Sequence, residues 1–246
     1  MAGKANYGVD APKVIRNLLL AGIACIILAV AFPRLTISHV TLLLNPSLFY
    51  GAFWFIAPAV LMLIYAKAGK FRHRDRILGK VAWTGAEEVL DVGAGRGLLL
   101  IGAAKRLSSG RAVGIDIWNA EDLSGNGPEA LLKNIEIEGV KGKTVVKSEN
   151  ARKMSFADHS FDVVLSNLCL HNIYEVPGRA EACREIARVL RPNGIAVISD
   201  FRHMREYAQE FAKAGLAVEM FPLDWTGTFP PLRVLVARKA LERIYS

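Results

Sequence analysis

The chain has 246 residues, 52% of them hydrophobic, and a net charge of +8, enough length for one α/β domain and something more. Residues 1–80 hold ten of the 31 basic side chains but only Asp10 and Asp75 among the 23 acidic ones, so residues 81–246 are neutral, which excludes the basic stripe of a DNA- or RNA-binding surface there. Cys25, Cys169 and Cys183 are too far apart for a zinc site or a dithiol motif, and unpaired thiols suit a reducing compartment.

Asn17–Phe32 reads NLLLAGIACIILAVAF without a charge. Extended back to Val14, with Arg16 snorkelling, it makes a helix of ~28 Å, close to the ~30 Å of a bilayer core. Leu35 to Ala66 is uncharged but too long for one crossing. Asn45-Pro46 reads as a cap and first turn, which predicts a second crossing over residues 46–66. Pro58 lies inside it, a position that membrane helices tolerate. Lys4, Lys13 and Arg16 precede the first run, Lys67 to Lys80 follow the second, and only Arg34 lies between. The positive-inside rule then predicts an integral membrane protein with both termini and the following domain in the cytoplasm. The basic collar suits anionic lipid head groups. A cleaved signal peptide would need a small-residue cleavage site, and AFPRLT is a poor one.

The predicted boundary is at residue 80, with a membrane-anchoring hairpin over 1–80 and a catalytic domain over 81–246. Beyond it, short β-rich runs alternate with helical ones. Strands are predicted at Glu88–Val92, Ala112–Ile117, Thr144–Lys147, Phe161–Ser166 and Ile195–Ser199. Helices are predicted at Leu98–Leu107, Pro128–Glu138, Arg179–Leu190 and Arg202–Ala214, and Arg191-Pro192-Asn193-Gly194 is read as a turn. Two last strands, near Leu216–Phe221 and Arg233–Ala237, have no helix between them. The fold class is α/β, a doubly wound parallel sheet closed by an antiparallel hairpin.

Asp91-Val92-Gly93-Ala94-Gly95-Arg96-Gly97 follows the first strand, and Asp116 ends the second. Glycines there let a ligand approach the main chain, and a carboxylate at that strand end accepts from both hydroxyls of an adenosine ribose. The loop reads G-x-G-x-G rather than the G-x-G-x-x-G of dinucleotide sites. Asp91 would oppose a pyrophosphate but suits the ammonium group of S-adenosylmethionine. A membrane-bound NAD-dependent oxidoreductase and a non-catalytic donor-binding scaffold stay open as alternatives.

VLDVGAGRGLL (89–99), VGIDIW (113–118), NARKMSFADHSFDVVLSNLCLHNI (150–173) and REIARVLRPNGIAVISD (184–200) resemble, in order and spacing, the successive motifs of class I (Rossmann-like) S-adenosylmethionine-dependent methyltransferases. The resemblance covers most of residues 81–200. It implies a seven-stranded sheet with an antiparallel last strand and S-adenosylmethionine as methyl donor. It also implies that Gly93, Gly95 and Gly97 line the donor, that Asp91 lies near its amino-acid part, and that Asp116, next to Ile117, holds the ribose. Asn150-Ala151 stands where relatives more often carry Asp-Ala facing the adenine, and Asn167 would border the methyl group.

His171, in LHN after the fourth strand, is the one candidate general base; it is needed only if the acceptor loses a proton. No His, Cys, Asp and Glu cluster has metal-ligand spacing, so no metal is expected. The Asn/Asp-Pro-Pro-aromatic signature of amide and nucleobase-amine methyltransferases is absent after the fourth strand, where the chain reads SNLCL. The expectation is methyl transfer to a small-molecule substrate, lipophilic or membrane-associated, by a protein whose other partners are membrane lipids and not nucleic acid.

Overall fold

The computed structural model describes residues 3–37 and 39–240; the outermost residues of the two predicted regions fall outside these. Two 20-residue helices, α1 (Pro12–Ala31) and α2 (Asn45–Ile64), are joined by a small antiparallel ribbon of β1 (Arg34–Ile37) and β2 (Val40–Leu43). Both helices begin on a proline in the first turn, where the missing N–H has no partner to lose. They meet through small residues: Ala29 and Ala59 are fully buried, and a Cβ on Gly22 would stand 2.4 Å from Ile56 Cγ1. Their large side chains point outward, Leu20, Ile27, Phe53 and Trp54 among them. By length and composition both helices are able to cross a membrane.

The second helix does not stop near Ala66. It passes through a π-helical turn, Tyr65–Gly69, into α3 (Lys70–Leu78). Gly69, the one potential breaker, keeps a helical φ of −60°, and a Cβ there would come within 3.0 Å of the Gly227 carbonyl. The helix thus runs on because the domain packs against it. Ile77 and Leu78 are fully buried in one apolar cluster with Val89, Leu99 and Leu100, so the core is shared across residue 80.

The rest of the chain forms β3 (Glu88–Val92), α4 (Leu98–Ala104), β4 (Arg111–Asp116), α5 (Pro128–Ile137), β5 (Thr144–Ser148), β6 (Phe161–Asn167), α6 (Val176–Val189), β7 (Leu190–Asp200), α7 (Met204–Lys213), β8 (Leu216–Met220) and β9 (Arg233–Lys239). These seven strands make one sheet in the order β5-β4-β3-β6-β7-β9-β8. All pairs are parallel except those of β9, which runs against both β7 and β8. The doubly wound class and the antiparallel last strand are as expected, but β9 inserts beside β7 and leaves β8 at the edge. Apolar clusters cover both faces of the sheet, which is why its strands read as continuous apolar runs.

One predicted turn is absent. Arg191–Gly194 lies within β7, with Asn193 at φ 63° and a register shift between Phe161 and Val163 on β6. The turn-forming residues are absorbed as a bulge, which bends a strand without ending it. From β3 the chain winds to one side through β4 and β5, then returns to place β6 on the other. The crevice at the carboxyl ends of β3, β4 and β6 is therefore where an open α/β sheet takes its ligand.

Candidate functional site

The loop after β3 turns sharply because its glycines adopt left-handed φ: 76° at Gly93, 51° at Gly95 and 88° at Gly97. The amides of Gly93 and Ala94 both donate to the Ile115 carbonyl, at 2.9 and 3.0 Å. A Cβ on Gly93 would lie 2.3 Å from Cys169 Sγ, so only a bare backbone fits between β3 and the chain leaving β6. Gly97 has a different task from the one expected. It is not in the cleft wall, and a Cβ there would meet Leu131 at 2.5 Å and Ile101 at 2.9 Å. It lets α4 pack closely, as the third glycine of such loops does.

The other expected residues converge on one cleft: Asp91, Gly93, Gly95, Asp116, Ile117, Asn150, Ala151 and Asn167 all line it. Asp116 is held by two backbone amides, Gly95 N on Oδ2 at 2.8 Å and Trp118 N on Oδ1 at 2.6 Å. Oδ1 also receives a long bond from Asn126 Nδ2 at 3.5 Å, and Oδ2 keeps a lone pair for a ribose hydroxyl. Ile117 leaves its side chain exposed on the wall, an apolar surface for a planar base. Ala151 is buried beside Asn150. The Asn150 carbonyl already accepts from Arg152 N at 2.9 Å, which fixes the side chain and leaves one lone pair for an adenine amino group.

Asp91 is 2% exposed, and its Oδ2 accepts from Leu100 N at 2.8 Å. Burial, aided by the Asp116 charge, pushes its carboxyl up to about 7. A cation in the cleft would return it to the ionised form. Cys169 also lines the cleft, but burial and then the carboxylates of Asp116, Asp200 and Asp91 push its thiol well above the ordinary range, so it is no nucleophile.

His171 is not in the cleft wall. It sits on a short 3₁₀ turn, Leu170–Asn172, with Nδ1 2.8 Å from Asp200 Oδ1 and its ring edge-on to Phe201 at 4.6 Å. Asp200 is fully buried. Asp200 Oδ2 accepts from the His171 backbone N–H at 3.2 Å, while the His171 Nδ1 itself makes no hydrogen bond.

Buried polar atoms without a partner are uncommon and need a reason. Among the eight such atoms of the described residues, Asp10 Oδ2, Arg96 Nε, Asn126 Oδ1 and Asn167 Oδ1 belong to residues that line this cleft. Donors and acceptors left open around a glycine cradle with a ribose-type carboxylate fit a polar nucleoside ligand such as S-adenosylmethionine. Sequence reasoning missed Tyr7, Asp10 and Lys70, which also line the cleft. The available signal was Asp10 itself, the sole acid before residue 75.

Residues 90–198 match the family described as methyltransferase domain. An uncharacterized protein of Haemophilus influenzae is 30% identical over 177 residues, 67% of each chain. A demethylmenaquinone methyltransferase of Tropheryma whipplei is 34% identical over 129 residues, 52% of this chain and 47% of its own. The chain spans about half the length of that enzyme and less of a fungal methyltransferase, 39%. Among solved structures, a SAM-dependent methyltransferase of Methanosarcina mazei superposes with a TM-score of 0.52 at 19% identity, covering 68% of this chain and 98% of that one; at that identity the likeness bears on the fold alone. With the motifs, the cleft and the matched domain in agreement, the chain belongs to the class I S-adenosylmethionine-dependent methyltransferases.

Proposed function

We propose that this protein transfers the methyl group of S-adenosylmethionine to a small lipophilic acceptor while its N-terminal helices are inserted in a membrane. The observation that carries this reading is that the helix bounding the donor cleft at Lys70 is the direct continuation of an apolar helix with outward-facing Phe53, Trp54 and Ile64. The relative named for demethylmenaquinone supports an acceptor of that kind. The basic residues after α2 support a cytoplasmic domain.

The chain's own residues supply position. Asp116 accepts the ribose hydroxyls, Ile117 and Ala151 flank the adenine with Asn150 at its amino group, Asp91 approaches the ammonium, and Asn167 borders the methyl. The sulfonium makes that methyl electrophilic. Alignment of the acceptor in line with it is worth on the order of 7–11 kcal/mol in favourable cases. For an acceptor that must shed a proton, His171, which follows β6 next to the cleft residue Asn172, is the candidate base.

The test uses the full chain in lipid nanodiscs, methyl-labelled donor, and separate lipid and aqueous extracts. The expected result is label in a product that partitions into organic solvent. Label only in water-soluble products would overturn the lipophilic acceptor, and donor binding without any transfer would favour a donor-binding scaffold.

A further inference from the structure

The N-terminal segment is strapped to the domain before it enters α1. Asn6 N donates to Asn134 Oδ1, and Asn134 Nδ2 returns a bond to Asn6 O, both at 2.9 Å. Tyr7 Oη donates to Glu138 Oε1 at 2.9 Å. Val9 and Ser124 exchange two bonds, and Ala11 N donates to Asp122 O at 3.0 Å. Ala11 then takes a left-handed φ of 46°, and α1 starts at Pro12. This strap leaves Asp10 in the cleft wall with Oδ2 buried and unpartnered.

Lys70 enters the same wall from the other helix. It is 3% exposed, and Nζ donates to the carbonyls of Tyr7 at 2.9 Å and Gly8 at 2.6 Å. An ammonium has three donors, so one remains. Burial lowers the Lys70 pKa and raises that of Asp10, and each charge opposes the effect on the other. The second charge acting on Lys70 is Arg96 of the glycine loop. Gly8, whose carbonyl Lys70 holds, lies against Arg96, where a Cβ would meet the Arg96 Cδ at 3.0 Å, so the pair stands beside the glycine loop. A donor that lies with its ribose on Asp116 has its amino-acid portion left to place there.

We propose that Asp10 and Lys70 form the subsite for the zwitterionic amino-acid end of the methyl donor, Asp10 taking the ammonium and Lys70 the carboxylate. This rests on the donor reading above and adds to it: each arm of the hairpin delivers one charged residue, so the hairpin is a wall of the donor site as well as an anchor. Asp91 approaches the same ammonium from the strand side. A buried cation and anion, each with unused hydrogen-bonding capacity, match the two charges of an amino acid and would be costly to keep for any neutral ligand.

The test compares two probes on the full detergent-solubilised chain by calorimetry. S-adenosylhomocysteine carries the amino-acid end; 5′-methylthioadenosine has the same thioether nucleoside without it. The wild type is expected to prefer S-adenosylhomocysteine by roughly 100-fold, as charge-assisted hydrogen bonds to two buried groups imply. Asp10→Asn and Lys70→Met should each shrink that preference at least tenfold, with methylthioadenosine affinity changed less than twofold. Lys70→Arg should retain most of it. An unchanged preference in both variants would overturn the proposal, as would an equal loss of both probes, which marks a purely structural role. A wild type that binds neither probe would instead sink the donor reading itself.

Discussion

The hairpin and the sheet bury opposite kinds of residue. In the α/β domain, Leu90, Ile115 and Leu165 of the sheet and Phe211 of α7 are fully enclosed. In the hairpin the enclosed residues are Ile15 near the start of α1 and otherwise small ones, Gly22, Ala29, Ala52 and Ala59, while Leu20, Ile27, Phe53 and Trp54 face outward. In water, burial of large apolar groups drives packing. In lipid that drive vanishes, and close approach of backbones through small residues takes over. With the hairpin in lipid, as proposed, one chain of 246 residues would follow two packing rules, joined in a single helix.

The sharpest way to break this contrast is to truncate an aromatic residue in each region. Phe211→Ala should cost roughly 3–5 kcal/mol of stability, and Phe53→Ala, in detergent, under about 0.5 kcal/mol, as read from thermal unfolding of the full chain. Similar losses at both sites would mean that the hairpin packs like a water-soluble core. Asp116→Ala tests the part of the cleft built by the sheet: loss of charged hydrogen bonds to the ribose should weaken S-adenosylhomocysteine binding about 100-fold, measured by calorimetry. Gly22→Leu sharpens the hairpin side, because the added side chain must enter the space held by Ile56. The expected cost is about 1–3 kcal/mol, visible as a lower melting temperature, whereas Leu20→Ala should leave the melting temperature nearly unchanged.

The smallest expected effect is a pH dependence. The Asp91 carboxyl is pushed up to about 7 by burial, so below that pH it is mostly protonated and must ionise before it can attract the donor's ammonium. Donor affinity should therefore rise about tenfold from pH 6 to pH 8. Asp91→Asn should leave only the weaker dependence contributed by Asp10. For the ligand-free protein the sign is reversed: the native state holds this proton more tightly than the unfolded chain, so ionisation between pH 4 and 7 costs stability. A donor affinity that falls with rising pH would contradict the placement of Asp91 beside the ammonium.

The sheet, its strands and most of the cleft were legible because they depend on local signals. Apolar runs mark buried parallel strands, and a strand-glycine-helix junction places Asp91, Gly93 and Gly95 without knowledge of distant partners. Asp116 follows from the next strand end in the same way. Gly97 was misjudged because sequence cannot tell a glycine that faces a ligand from one that faces Leu131. Arg191–Gly194 was misjudged because its left-handed Asn193 serves a bulge as well as a turn. Asp10 and Lys70 were invisible for a stronger reason. Each stood in a charged flank that reads as a solvated collar, and their proximity depends on contacts such as Asn6 with Asn134, 128 residues apart.

The continuous helix from Asn45 to Leu78 also sets an altitude. With residues 46–66 as the proposed span, Lys70 stands four residues beyond the apolar stretch, or ~6 Å at 1.5 Å per residue. On that proposal the Lys70 wall of the cleft lies at the depth of the lipid head groups rather than in bulk cytosol. An acceptor with a long apolar tail has only to lift its ring by about one helical turn to meet the donor, and the tail never leaves the bilayer. Under the proposed function, the helix would act as a stilt whose length fixes which part of a lipophilic acceptor reaches the donor.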